Sequence, residues 1–511
     1  MDLLVGRMKR LMHPGLQRRT AVVVGAGPVG CLAALALAKQ GWHVQLYDAR
    51  PDPRLPSSKS AASLRSINLA ISSRGIAALQ AIDPAATTRF LETVIPMKGR
   101  MIHHLRGSQE SQLYDTHGQC INSIDRGLLN EGLIDEVQAA HNVRVFFLHK
   151  LTTADFDRRV LSLRKSHPSG DEDVDVTFDL CIGADGSYSN VRRQLMRFIR
   201  MDYQQVYIPH EYIELKMPPA RDSNGNILFP LDPNHLHIWP RSSFMLIALP
   251  NKDKSFTCTL FAPNAEFARL EDPTSALIWF KNQFPDAVPL IGERALLDDF
   301  KRNPRSPLIA IKANPYHYKD RVVILGDAAH SMVPFFGQGL NCGFEDVRVL
   351  DALMRCEHVD PLALAHGSGD STDPNLARAL QRYSESRHED LVAICDLAMD
   401  NYVEMRHSVA TPWYLFRRTL DQLFYAMSSH YRLTDGPLIP RDAFPSGSPA
   451  GWIPLYTMVT FRPDISYAAA KRKAEAQTRL VTALGWFTAV LGLSGLTIAS
   501  LRMIRLVEKG V

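Results

Sequence analysis

A short apolar run, Thr20-Ala21-Val22-Val23-Val24, stops at Gly25-Ala26-Gly27-Pro28-Val29-Gly30, and Cys31 to Lys39 follows as an Ala/Leu-rich segment. The β-branched run specifies a strand buried on both faces, as in a parallel sheet. The Ala/Leu segment has high helix propensity. Strand, glycine turn and helix in this order are the context of a dinucleotide-binding α/β fold. Gly25 permits the tight turn, Gly27 lets backbone approach a diphosphate, and Gly30 lets the helix pack on the strand. The diphosphate would sit at the helix N-terminus, where free N–H groups and the dipole favour an anion. A second strand, His43-Val44-Gln45-Leu46-Tyr47, ends at Asp48. That acid is at the distance expected for binding ribose hydroxyls.

Two further glycine segments follow. Gly183-Ala184-Asp185-Gly186 precedes Ser189, Val191 and Arg192. Gly326-Asp327-Ala328-Ala329-His330 runs on to Pro334 and Gly337-Gln338-Gly339. Arg321 to Leu325 reads as another buried strand, so Gly326-Asp327 falls at a carboxyl end, where open α/β sheets bind ligands. Taken alone, His330 is better read as structural than catalytic. The three segments in this order resemble the single-component flavin-dependent aromatic hydroxylases.

The resemblance implies bound FAD, with NADPH as a co-substrate that docks without a Rossmann domain of its own. It implies a Rossmann-like FAD domain, an antiparallel substrate sheet and a C-terminal helical region. It places flavin on Gly25, Gly27, Val29, Gly30, Tyr47, Asp48, Ala49 and Arg50. Ala70, Arg126, Leu151, Asp185, Asp327, Gly339, Leu340 and Asn341 complete that implied set. Asp327 would meet the ribityl or ribose region, and the helix after Gly339 would aim its N-terminus at the isoalloxazine.

The middle of the chain has a different period. Tyr212 to Met217 and Ser255 to Leu260 alternate, and Phe244 to Leu249 is continuously apolar. A period of two predicts an antiparallel sheet with one covered face. At 511 residues the chain exceeds one compact core. The expected divisions are a basic extension over 1–18, FAD-domain parts over 19–200 and 301–395, a substrate sheet over 201–300 and a helical region over 396–478. Residues 367–372 and 435–451 read as surface insertions.

Composition narrows the class. A net charge of +5, without basic runs interleaved by aromatics, gives no case for nucleic acid. Seven scattered cysteines, none in a CxxC, read as reduced and mostly buried. No His or Cys spacing predicts a metal site. Leu480 to Leu501 carries no charge and lies between Arg479 and Arg502. As a helix it would be roughly 33 Å long, enough to cross a bilayer. A tail anchor with the catalytic part on the cytosolic side is therefore expected. Its modest apolarity and basic flanks, with the resemblance, point to the mitochondrial outer membrane.

Longer strings narrow the resemblance to the kynurenine-hydroxylating branch of the family. They include Gln205-Val206-Tyr207-Ile208-Pro209-His210, Val333-Pro334-Phe335-Phe336-Gly337-Gln338-Gly339 and Asn401-Tyr402-Val403-Glu404-Met405-Arg406. This implies L-kynurenine and O2 as substrates, in tryptophan catabolism and NAD biosynthesis. It places the substrate carboxylate on Arg100 and Tyr114, and Asn401 and Tyr456 at the polar end. An Arg fork and a Tyr hydroxyl suit a carboxylate. The aromatic ring would lie on Met245, Ile247, Leu249 and Phe261, with Pro334 and Phe335 closing over it. Met245, Ile247 and Leu249 are two apart and share a strand face. No side-chain acid/base pair is evident, so the cofactor is expected to carry the chemistry. A membrane-bound flavin hydroxylase or epoxidase with an apolar substrate is the alternative, against which the Arg100–Tyr114 clamp argues. A flavin-fold escort protein is the non-enzymatic reading, against which the three intact motifs argue.

Overall fold

The computed structural model describes residues 16–58, 68–115, 117–166, 170–364, 372–428 and 451–483. A six-stranded sheet runs in the order His317–Tyr318, Val322–Ile324, Leu180–Gly183, Thr20–Val24, His43–Tyr47, Val143–Phe146. All its pairings are parallel except that of His317–Tyr318. Register explains the three glycine segments. Gly183 pairs with Val24 on one side and with Ile324 on the other. Residues 25–30, 184–186 and 326–327 therefore emerge side by side at one carboxyl edge.

The Pro28–Gln40 helix starts at Gly27 and ends at Gly41 in the left-handed region, φ 102°. Every residue from Gly30 to Ala38 is buried, so the helix is enclosed rather than laid on a surface. The Gly339–Cys356 helix packs against it and against Ser73–Ile82.

A seven-stranded sheet runs Ser306–Asn314, Asp202–Met217, Phe256–Pro263, Phe244–Pro250, His235–Arg241, Gly99–His103, Gln109–Leu113. It is antiparallel except where His235–Arg241 meets Gly99–His103. The expected antiparallel pairing is present at 212–217 and 256–260, but both faces are covered, so Glu214 and Thr259 are buried along with Ile213, Leu215, Cys258 and Leu260. Ile213, Leu215, Leu246, Cys258 and Leu260 share a second core with Phe267, Phe280 and Phe284. Met245 and Phe261 instead join the main core. The sheet draws on chain outside 201–300, including Gly99–His103 and Ser306–Asn314.

The Pro374–Arg406 helix passes through the 395/396 division without a break. Its N-cap Asp373 accepts from the Asn375 and Leu376 amides, satisfying donors that the first turn leaves free. The Pro412–Ser428 and Leu455–Phe461 helices and a helical run over 467–483 follow. Leu16–Arg18, inside the expected basic extension, is a strand paired with Leu362–Leu364. The rest of that extension lies outside the described residues, as does nearly all of the 367–372 and 435–451 insertions. Most of the 480–501 stretch is likewise outside them. Among the described residues no helix is long and apolar enough to cross a membrane.

Candidate active site

The glycine edge is shaped for a close ligand. A Cβ on Gly25 would overlap the Ala184 carbonyl, and one on Gly30 would overlap the Gly25 carbonyl. Gly27 differs, because among the described residues nothing lies within 4 Å of its missing Cβ. It caps the Pro28–Gln40 helix without a side-chain cap bond, leaving open space at a helix N-terminus, as an anionic diphosphate requires. Val29 packs under Gly326, whose Cβ would sit 3.3 Å from it. Asp327 is the one exposed residue between 320 and 331, at the end of the Val322–Ile324 strand. These features fit FAD.

Asp48, the residue expected to meet the ribose hydroxyls, is also held by protein partners. One oxygen accepts from the Ala26 amide at 2.8 Å, and Arg50 donates to both oxygens through Nε at 3.0 Å and Nη2 at 2.8 Å. Burial alone would raise this carboxyl, but Arg50 and the Ala26 amide hold it below the usual range. Asp48 thus braces the glycine turn. Asp185 also turns inward. It accepts from the Ser189 hydroxyl and from the Asn190 and Val191 amides, capping the next helix. Arg192 ties the second motif to the third, donating to the Ser187 carbonyl at 2.6 Å and the Ala328 carbonyl at 2.7 Å.

The remaining flavin-end residues take varied positions. Tyr47 is buried and stacks on Phe146 at 4.7 Å. Ala49 and Arg126 are exposed, the latter in the first turn of the Arg126–Ala139 helix. Leu151 is buried, and its carbonyl accepts from Asn190 at 3.3 Å. Asn341 donates to the Ala70 carbonyl at 2.9 Å and the Gly337 carbonyl at 2.7 Å, while its oxygen accepts from the Ser72 amide at 2.9 Å. That staple sets Gly339 and Leu340, the first residues of their helix, against the Ala70 strand.

The polar end is assembled from distant chain. Arg100 is 6% exposed. Its guanidinium carbon lies 5.2 Å from the Tyr456 ring centre and 5.8 Å from that of Tyr114. Those two rings stack at 4.7 Å. Glu404 accepts from Arg100 Nη1 and from the Tyr414 hydroxyl, both at 3.0 Å. Burial opposes the charge on Arg100, yet Tyr414, Glu404, Tyr114 and Tyr456 together hold its pKa above the ordinary value. It stays a cation. Burial pushes the Tyr114 hydroxyl up, against the pull of Arg100, so it stays a neutral donor. Among the described residues it has no protein partner of good hydrogen-bond geometry.

An apolar wall adjoins this cation. Met245 stands opposite Phe261 across the strand pair. Ile247 and Leu249 continue the same face into a small cluster with Met97, Ile121, Phe461, Ala70, Tyr114 and Tyr456. Because Ala70 belongs to it, the cluster joins the flavin edge to the clamp. Phe335 stacks on Tyr402 at 4.0 Å and meets Phe261 edge-on at 4.8 Å. Pro334 beside it is exposed. Asn401, expected at the polar end, donates to the Phe335 carbonyl of this loop at 2.7 Å. Among the described residues, His330, Cys342 and Asp346 could group around a metal ion. Asp346 is already committed, accepting from Arg387 at 2.9 Å and the Gly326 amide at 3.1 Å.

Comparison with known proteins decides the family. Residues 18–355 match the FAD binding domain family. A kynurenine 3-monooxygenase of Cryptococcus neoformans is 47% identical over 491 residues, spanning 93% of this chain and 95% of its own. The Saccharomyces cerevisiae kynurenine 3-monooxygenase is 43% identical over 472 residues, spanning 90% of this chain and 94% of its own. The chain belongs to the kynurenine 3-monooxygenase family.

Solved structures agree on the fold. A 2-methyl-3-hydroxypyridine-5-carboxylic acid oxygenase superposes with TM-score 0.58 at 20% identity, covering 78% of this chain and 95% of the other. A probable FAD-dependent monooxygenase from Pseudomonas aeruginosa gives 0.59 at 17% identity, covering 76% and 97%. At the Arg100 end, sequence reasoning missed Glu404 and Tyr414. Glu404 lies three residues after Asn401 on one helix, so spacing placed both on one face. No sequence signal connects either residue to Arg100.

Proposed function

We propose that this chain is an FAD-dependent monooxygenase that converts L-kynurenine to 3-hydroxykynurenine with NADPH and O2, a step of tryptophan catabolism that feeds NAD biosynthesis. The observation that carries this reading is the buried Arg100 cation, flanked by Glu404 and ending an apolar wall. When bound, FAD supplies electron transfer from NADPH to O2 and transfer of one oxygen atom to the ring, the second leaving as water. The chain's own residues bind and orient. The Arg100 fork takes the α-carboxylate, aided by the neutral Tyr114 hydroxyl. Glu404, held beside it, takes the α-ammonium of the same amino acid. Ile247, Leu249, Met245 and Phe261 press the aryl ring flat and exclude water. The ring's own amino group activates the carbon ortho to it, so no side-chain base is needed.

NADPH oxidation by the FAD-loaded protein, measured with and without L-kynurenine, tests the reading. Strong stimulation with a product one oxygen heavier supports it. Bound flavin without stimulation overturns the substrate assignment and favours an apolar substrate.

The uncharged 480–501 stretch supports a membrane anchor, and the basic residues beside it support a cytosol-facing catalytic part at the mitochondrial outer membrane. Cell fractionation with alkaline extraction and protease accessibility tests this. Release by alkali would contradict the anchor.

A further inference from the structure

The Pro412–Ser428 helix is apolar on both sides: Tyr425 is buried in the main core with Tyr414 packed against it, and the opposite side is apolar and exposed. Trp413, Phe416, Leu423 and Met427 are 68%, 53%, 52% and 72% exposed. Its other exposed described positions carry Pro, Thr and Ala. At about 100° per residue these positions fall on one side of the helix. Its charged side chains face protein instead. Arg417 contacts Asp421 at 3.3 Å and Thr478 at 3.5 Å, Arg418 donates to the Leu113 carbonyl at 2.7 Å, and Asp421 accepts from Trp452 at 2.9 Å. A surface helix normally carries polar and charged residues on its outer face. A contiguous apolar stripe on a soluble surface marks an interaction face.

The neighbouring chain says which kind. The Arg417–Thr478 contact sets this helix beside the 467–483 helical run. Near the end of that run Arg479 and Leu480 are exposed, where the uncharged 480–501 stretch begins. Exposed Trp, Phe and Leu on one face, with basic residues away from it, are the side-chain choice of a helix lying in a membrane–water interface.

We propose that the Pro412–Ser428 helix lies flat in a lipid surface, with Trp413, Phe416, Leu423 and Met427 among the acyl chains. This rests on the membrane reading of 480–501 and adds a second, in-plane contact to it. The contact bears on substrate binding. The same helix carries Tyr414 inward to Glu404, and Glu404 holds Arg100. Seating the helix in lipid thus steadies the clamp from outside.

The test uses the full chain in phosphatidylcholine/phosphatidylserine vesicles with spin-labelled lipid. An environment-sensitive dye is attached at Phe416→Cys or Leu423→Cys in a Cys356→Ser background. A dye on the native, exposed Cys356 is the soluble-side control, and one at Leu491→Cys reports the tail. FAD absorbance of each sample reads misfolding separately. The proposal expects dyes at 416, 423 and 491 to lose at least half their intensity to the lipid quencher, and the dye at 356 to lose little. Quenching at 491 but not at 416 and 423 overturns the inference while leaving the anchor intact, and assigns the stripe to a protein cover. No quenching at 491 removes the anchor and the inference together.

Discussion

At the dinucleotide end, three glycine segments meet because Val24, Gly183 and Ile324 stand in register on adjacent parallel strands. At the amino-acid end, Arg100 meets Glu404 across 304 residues of chain, and Tyr114, Tyr414 and Tyr456 arrive from three further segments. The first end is made of backbone and of side chains that are missing. The second is made of side chains that must be present and aimed. A backbone site is specified by a few local residues and one sheet register. A side-chain site is only as precise as the packing that carries each contributor to it. Here that packing includes a buried ionic network. Arg74 pairs with Glu345 at 2.6 Å and donates to the carbonyls of Val459, Arg462 and Ile465. Glu345 also holds Arg348 at 3.2 Å and Arg387 at 3.0 Å. The Leu455–Phe461 helix bearing Tyr456 is thereby tied to the FAD domain.

The comparison can be broken most severely at the glycine edge. Gly30→Val drives a side chain into the Gly25 carbonyl, and we expect no yellow protein. Flavin absorbance after purification reads this, and normal flavin content would refute a backbone-built site. Next comes Glu345→Gln, which leaves Arg74, Arg348 and Arg387 without their shared carboxylate. Breaking a buried pair in this way costs about 3–5 kcal/mol, to be read from denaturant unfolding. An unchanged midpoint would show that the C-terminal segment is held by other means.

An acid response sharpens the contrast further. His237, in the substrate sheet, is buried, and burial together with His103 and His235 pushes its pKa down to about 4 from 6.5. The folded state therefore holds it neutral, while the unfolded chain takes up a proton first. Stability is complete above about pH 6.5 and is lost as pH falls toward 4, by about 3 kcal/mol in all. His237→Gln should flatten that part of the curve of melting temperature against pH. An unaltered curve would place the acid-sensitive group elsewhere.

The smallest change is at the clamp's outer hydrogen bond. Tyr414→Phe removes the hydroxyl on Glu404 and should raise KM for L-kynurenine about fivefold, the equivalent of ~1 kcal/mol. Steady-state kinetics at saturating NADPH reads it, with kcat and flavin content unchanged.

The same contrast explains what was legible in the sequence. Thr20–Val24, His43–Tyr47 and the helix after Gly27 follow from runs of adjacent residues, and the structure has them. The period of two found the inner strands of the substrate sheet. It did not find that Gly99–His103 joins them beside His235–Arg241, a pairing across more than a hundred residues. Nor could it find the Leu16–Arg18 strand, which exists only through its partner at Leu362–Leu364. Asp48 was found by spacing, but its direction is set by Arg50 and the Ala26 amide. Arg100 and Tyr456 came from resemblance alone. Glu404 sits within a string that the sequence offered, yet nothing local says that its carboxylate faces Arg100.

The most direct test of this division is Arg100→Ala, with FAD content and kcat/KM for L-kynurenine measured on the same sample. The account predicts full flavin loading and a fall in kcat/KM of about a hundredfold, ~3 kcal/mol for a charge-assisted pair, carried mainly by KM. Full flavin loading with an unchanged KM would show that the carboxylate is bound elsewhere and would contradict the clamp.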